Sequence, residues 1–175
     1  MIETSRVRLR AFSPEDLLAL LEGVPQCEAR MGVRLADGLR DFFVSGEVSA
    51  AWLERLRAAK AADPWLHGFA VIERASETAV GTAGFKGPPG DDGAVEIAYA
   101  IVPAKEGRGY ATEAAASLVA FAFNDPRVRS VRAHTLPTLN ASTRVLAKCN
   151  FTRVGEVVDP DDGPVWRWQR ARDAA

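Results

Sequence analysis

Two stretches of the chain carry residue types whose spacing points to chemistry. In the first, VPAKEGRGYATEAA at 102–115, Gly107 and Gly109 flank Arg108 and lead into an alanine-rich helical pattern. A strand, a glycine loop and a helix start together make an anion site. The first amides of a helix lack partners, and about half a unit of positive charge gathers at that end. A nucleotide P-loop would need Lys and then Ser or Thr after the last glycine, where Tyr110 stands; a dinucleotide turn would need Gly or Ala at Thr112. A bare strand-to-helix turn fits these residues as well as a phosphate site does. In the second stretch, AVEIAYAIV at 94–102, Glu96 shares one face of a strand with the small Ala98 and Ala100, while Val95, Ile97, Tyr99 and Ile101 take the other. Partial burial there would raise the carboxyl pKa toward a general-base value. A glutamate facing water, or paired with Arg132 on a neighbouring strand, is the competing reading.

These residues need a scaffold, and the hydrophobic periods outline one. TSRVRLRAF alternates as a strand, and SPEDLLALLEG offers Ser13 as cap, Pro14 at the first helical position and Gly23 as a stop. The segment from Glu22 to Ser45 reads only as helical turns and loop. Ser49 caps AAWLERLRAAKAA, a helix ended by Asp63-Pro64. The runs at 67–74, 79–87 and 94–102 then form an antiparallel meander, and a helix follows from Tyr110 to Phe123. A strand at 128–136, a helix at 141–149 and a closing hairpin around DPDDG complete the chain. The expectation is one α+β domain over 1–175, with a central, mixed, mostly antiparallel sheet of about seven strands flanked by about four helices.

With 175 residues and a net charge of −1, the sequence gives no electrostatic footprint for nucleic acid. It shows neither an apolar signal segment nor a membrane span, and Cys27 and Cys149 supply neither a disulfide framework nor a metal cage. A cytoplasmic protein without metal, membrane or nucleic-acid partner is expected, and a homodimer is compatible with the sequence.

EIAYAIVPAKEGRGYATEAA resembles the acyl-CoA-binding motif of the GNAT superfamily of N-acetyltransferases, whose pattern is Arg or Gln, two residues, Gly, one residue, then Gly or Ala. TSRVRLRAFSPED and NASTRVLAKCNFTRVGE resemble the branch that includes ribosomal-protein N-terminal acetyltransferases. The resemblance implies acetyl-CoA as cofactor and direct transfer to a primary amine, either a protein N-terminus or a small molecule. It implies that amides of Lys105, Glu106, Gly107, Arg108, Gly109, Tyr110 and Ala111 hold the coenzyme A diphosphate. It also implies that the strand ending at Ile101 and Val102 pairs with the pantetheine arm, and that Asn140 contacts the cofactor. Four positions depart from the pattern: Ala104 replaces the leading Arg or Gln, Leu139 an Asn, Leu146 a Tyr and Asn150 a Gly.

Acetyl transfer to an amine requires loss of a proton, so Glu96 is the expected base, acting directly or through water. Ser142 would donate to the leaving sulfur, or else cap its helix. His134 is read as a proton carrier or as a structural side chain, and Arg108 as reaching a phosphate or facing solvent. Tyr99 is expected to pack in the core. Residues 22–46 and the GPPGDDG loop are expected to frame the acceptor pocket. A different class of function, acyl-CoA binding without turnover as a sensor, is compatible with Ala104 and Leu146.

Overall fold

The structure, a computed structural model, describes residues 1–46, 48–160 and 162–172. Strand β1 (Ile2–Glu3) hairpins onto β2 (Val7–Ala11), followed by helices α1 (Pro14–Glu22) and α2 (Val24–Met31). A two-residue strand β3 (Arg34–Leu35) precedes three short helices, α3 (Asp41–Val44), α4 (Ala50–Ala58) and α5 (Pro64–His67). The meander is β4 (Phe69–Glu73), β5 (Thr78–Phe85) and β6 (Ala94–Ile101). Then come α6 (Tyr110–Asn124), β7 (Ser130–Thr135), α7 (Ala141–Lys148), β8 (Thr152–Asp159) and β9 (Gly163–Ala171). The described strands form one sheet in the order β1-β2-β4-β5-β6-β7-β9-β8, with β3 beside β5. All pairs are antiparallel except β3 with β5 and β6 with β7.

The local causes are visible in the residues. Ser13 and Asp16 close a capping box on α1, with Pro14 in its first turn, and the left-handed Gly32 ends α2. Strand β4 is buried at every position because helices cover both faces of the sheet there. On one side α6 lays Ala114, Ala115, Leu118 and Ala122 against Val7, Leu9, Val71 and Val95. On the other, Leu17, Leu20, Cys27 and Leu56 pack on Ala70 and Ile72. The small face of α6 lets the helix approach the strands closely, which fixes where its first turn lies.

Several expectations need correction. The sheet has nine described strands, not about seven, and seven described α-helices stand where about four were expected. The added strands are β1 and β3, each two residues long and too short to display a period. The helix from Ser49 ends at Ala58, and Asp63-Pro64 begins a new turn: the Asp63 carboxylate accepts from the Trp65 amide. Residues 24–31 form a full helix within the stretch read as turns and loop. Among the described residues no helix is long and apolar enough to cross a membrane.

Candidate active site

Strand β6 is hydrogen-bonded to β7 only from Ala94 to Glu96, and it then continues to Ile101 along β5 alone. Strand β7 is paired with β9 along its whole length, and beyond Arg132 with β9 alone. A wedge opens between β6 and β7. Alternate residues of a strand present their N–H and C=O to opposite sides. The Glu96 carbonyl and the Val102 amide both bond toward β5, so those of Tyr99 and Ile101 face the open edge. Past this edge lies a cleft of about 750 Å³, lined by Tyr99 and Ile101 from β6, by the loop and first turn of α6, and by Ser142, Arg144, Val145 and Lys148 of α7.

The loop begins with a 3-10 turn at Pro103–Lys105 and ends at Gly109, which caps α6 at φ 82° without a side-chain cap. The Lys105 amide donates to the Val102 carbonyl and the Glu106 amide to Pro103, so both are engaged within the turn. Among the described residues the amides of Gly107, Arg108, Gly109, Tyr110, Ala111 and Thr112 have no acceptor. Of the amides expected at 105–111, those of Lys105 and Glu106 are engaged within the turn, and the unpartnered run extends from 107 to 112. Gly109 has a positive φ that favours glycine, and a Cβ there would lie 2.5 Å from an Arg6 guanidinium nitrogen, so that a side chain would also push the Arg6 brace aside.

That loop is braced from two sides. Arg6 donates to the Arg108 carbonyl (2.5 Å) and to Glu113 (2.5 Å), and Thr4 also donates to Glu113. Burial would raise the Glu113 carboxyl, but the hydrogen bonds from Thr4 and Arg6 outweigh it and hold the pKa at about 2. Beneath the loop Glu73, the last residue of β4, accepts from Lys105 Nζ (2.7 Å), Ser76 and the Tyr110 hydroxyl, with Arg108 3.9 Å away. These donors, Lys105 foremost, hold its carboxyl at about 2. The Lys105 side chain thus braces the loop.

The face of β6 that carries Glu96 meets the matching face of β5 in a row: Thr82 opposite Ala100, and Gly84 opposite Ala98. These four small residues floor a groove of about 450 Å³, walled by Phe42, Leu66, His67 and Phe85. Gly84 approaches Gly68 so closely that a Cβ would sit 3.0 Å from the Gly68 Cα. At the end of the row Lys86 Nζ lies 2.5 Å from Glu96 Oε1. His134 Nδ1 lies 2.9 Å from the same oxygen, at an angle short of a formed hydrogen bond, while its Nε2 accepts from Arg167 (3.2 Å). A cavity of about 230 Å³ beside this cluster adds Asp159 and Asp162 of the last hairpin. Tyr99 lines all three spaces and Ala100 two of them, so the cofactor-sized cleft and the groove adjoin at these residues.

The Glu96 carboxyl moves opposite to expectation. Burial alone would raise it, but Lys86 and His134 outweigh burial and place it below the usual carboxylate range. Its partner is not Arg132, whose guanidinium pairs with Asp92 at 2.8 Å. Ser142 lines the cleft, and the cap of α7 is Asn140, whose side chain accepts from the Thr143 amide. Asn140 thus caps its own helix, directly before the cleft-lining Ala141 and Ser142. Val102 is 1% exposed and its amide bonds to the Val80 carbonyl, so Ile101 is the edge residue of the two. Tyr99 is half-buried and lines the cleft as well as packing, and burial pushes its phenol well above the usual value. Phe42 and Ser45, at the end of the poorly patterned segment, do wall the groove. In the GPPGDDG loop Asp92 is occupied by Arg132 and the Ala94 amide, and the acids facing the site come from DPDDG. Within that motif, Asp161 lies outside the described residues. Glu73 and Lys86 were not singled out in the sequence. Parity along β4 and the β5–β6 register were the signals that could have found them.

Comparison with known proteins agrees with this geometry. Residues 6–152 match the acetyltransferase (GNAT) domain family. An uncharacterized N-acetyltransferase, YjdG of Bacillus subtilis, is 26% identical over 153 residues, spanning 86% of this chain and 89% of that one. Among solved structures, ribosomal-protein-S5-alanine acetyltransferase from Vibrio fischeri superposes with a TM-score of 0.66 at 14% identity, covering 98% and 96% of the two chains. The aminoglycoside acetyltransferase AAC(6')-Ib, solved with coenzyme A, gives 0.64 at 20% identity, covering 95% of each chain. With an unpaired strand edge, free helix-start amides and a match over most of its length, this chain belongs to the GNAT family of acetyl-CoA-dependent N-acetyltransferases.

Proposed function

We propose that the chain transfers an acetyl group from acetyl-CoA directly to a primary amine seated in the groove over Gly84, Ala98 and Ala100. The observation that carries this reading is the meeting of the two spaces at Tyr99 and Ala100, with Glu96 two residues along the same strand face as Ala98. The unpartnered amides of 107–112 suit the diphosphate, and the free edge at Tyr99 and Ile101 suits the amide groups of the pantetheine arm. Acetyl-CoA supplies an activated thioester carbonyl. Attack by the amine nitrogen forms the C–N bond, the C–S bond breaks, and the amine's proton must leave.

Glu96 draws the cationic acceptor toward it and takes the proton, directly or through water, as Lys86 gives way. A carboxylate below its usual pKa is a modest base, so its stronger effect is to anchor the ammonium and to stabilise charge as the proton moves. Tyr99, protonated at neutral pH, and Ser142 are hydroxyl donors where the cleft and the Glu96 cavity adjoin, placed to assist the departing thiolate. The described lining of the groove contains no carboxylate, while Glu96, Asp159 and Asp162 line the adjoining cavity, which suits an acceptor with an apolar body and its ammonium turned toward that cavity, whether an N-terminal residue or a small molecule.

The test is a panel of N-terminal peptides, monoamines and polyamines, read as thiol release from acetyl-CoA alongside calorimetry of coenzyme A binding. Release with monoamines or peptides supports the reading. Tight coenzyme A binding with no release across the panel would instead favour the non-catalytic acyl-CoA sensor.

A further inference from the structure

Three cationic side chains line the large cleft, and they are not equivalent. Lys105 is neutralised by Glu73 at 2.7 Å. Arg144 and Lys148, on α7, are both exposed, and among the described residues neither side chain has a hydrogen-bond or ion-pair partner. They are four residues apart, so they stand about one turn apart on the same helix face. The only described acid lining the cleft is Glu106, and it contacts neither of them. The wall of α7 therefore carries two unbalanced positive charges, set apart from the amides of 107–112 that form the first anion site.

A ligand bearing only a diphosphate would be served by those amides and would leave the second pair idle. A ligand with a separate phosphate monoester would use both, since a guanidinium fork and an ammonium together match its charge and its oxygen geometry. We infer that Arg144 and Lys148 bind the ribose 3′-phosphate of coenzyme A and make the cleft select coenzyme A over its 3′-dephospho form. The inference rests on the reading of this cleft as a coenzyme A site.

The experiment is calorimetry of the full chain with coenzyme A and with 3′-dephospho-coenzyme A, in wild type, the R144Q/K148Q double variant and the R144E/K148E double variant. Both positions are exposed, so the variants keep the core intact. Wild type should prefer coenzyme A by about tenfold or more, with the preference shrinking as salt is raised. R144Q/K148Q should bind the two ligands alike, its affinity for the dephospho form unchanged, and R144E/K148E should prefer the dephospho form. Equal binding of both ligands by wild type, or a preference that survives in R144Q/K148Q, overturns the assignment. Absence of heat with both ligands in wild type overturns the coenzyme A reading of the cleft itself, and the assignment with it.

Discussion

Glu73 and Glu96 both belong to the central sheet, and both are held below the usual carboxylate range by a lysine 2.7 and 2.5 Å away. Their surroundings differ. Glu73 is 6% exposed, with Lys105, Ser76 and Tyr110 bonded to it beneath the loop, so no side of it remains for a ligand. Glu96 is half-buried and opens on a cavity that joins the cleft, with partners contributed by a half-exposed lysine and a histidine on another strand. A depressed pKa therefore does not separate an enclosed brace from a carboxylate open to a ligand. What the free side of the carboxylate faces does.

The sharpest way to break this pairing is Glu96→Gln. If Glu96 handles the proton, turnover should fall by about 100- to 1,000-fold while coenzyme A affinity, measured by calorimetry, stays put. Retained turnover would make Glu96 a second brace. Glu73→Gln should do the reverse, removing about 3 kcal/mol of stability by leaving Lys105 without its counter-ion, while turnover per folded molecule persists. Acid sharpens the same point. Glu73 titrates at about 2 when folded. Unfolded it would titrate near 4.3, so its contribution is complete above ~4.3 and is lost as pH falls toward 2. Denaturation curves across that window should fall less steeply for Glu73→Gln than for wild type. Gly109→Ala forces a Cβ against Arg6 at a positive φ and should weaken coenzyme A binding about tenfold, the equivalent of ~1–2 kcal/mol. The smallest effect is expected from Lys86→Met. Loss of its ammonium raises the Glu96 pKa, so if Glu96 takes the proton, the acid limb of the rate profile should move to higher pH. A limb that stays in place would detach Lys86 from the chemistry.

Much of this was legible before any coordinates. The strands from Phe69 to Glu73 and from Ala94 to Ile101, and the helix from Tyr110, follow directly from their hydrophobic periods. The glycine loop was visible because Gly107 and Gly109 stand directly before a helical pattern, and both adopt a positive φ in the structure. What stayed hidden depends on pairing across the sheet. No local pattern says that Lys86 stands beside Glu96 or that β7 leaves β6 after Glu96; both follow from register. Glu73 was concealed for a different reason, since a glutamate at the end of an apolar run reads as the strand reaching water, whereas here the loop folds back over it. At Asn140 the residue type alone is ambiguous, because a helix-capping residue and a ligand-binding residue share the same chemistry; the structure shows its capping role.

The early parting of β6 and β7 has a mechanical consequence. Three residue pairs join these strands, against six between β7 and β9, so the two portions of the sheet meet at a short seam. An extended ligand laid along Tyr99 and Ile101 would become an extra rung there, tying the carboxy-terminal strands to the rest. Loading the cofactor would then also stiffen the protein, readying the groove before the amine arrives.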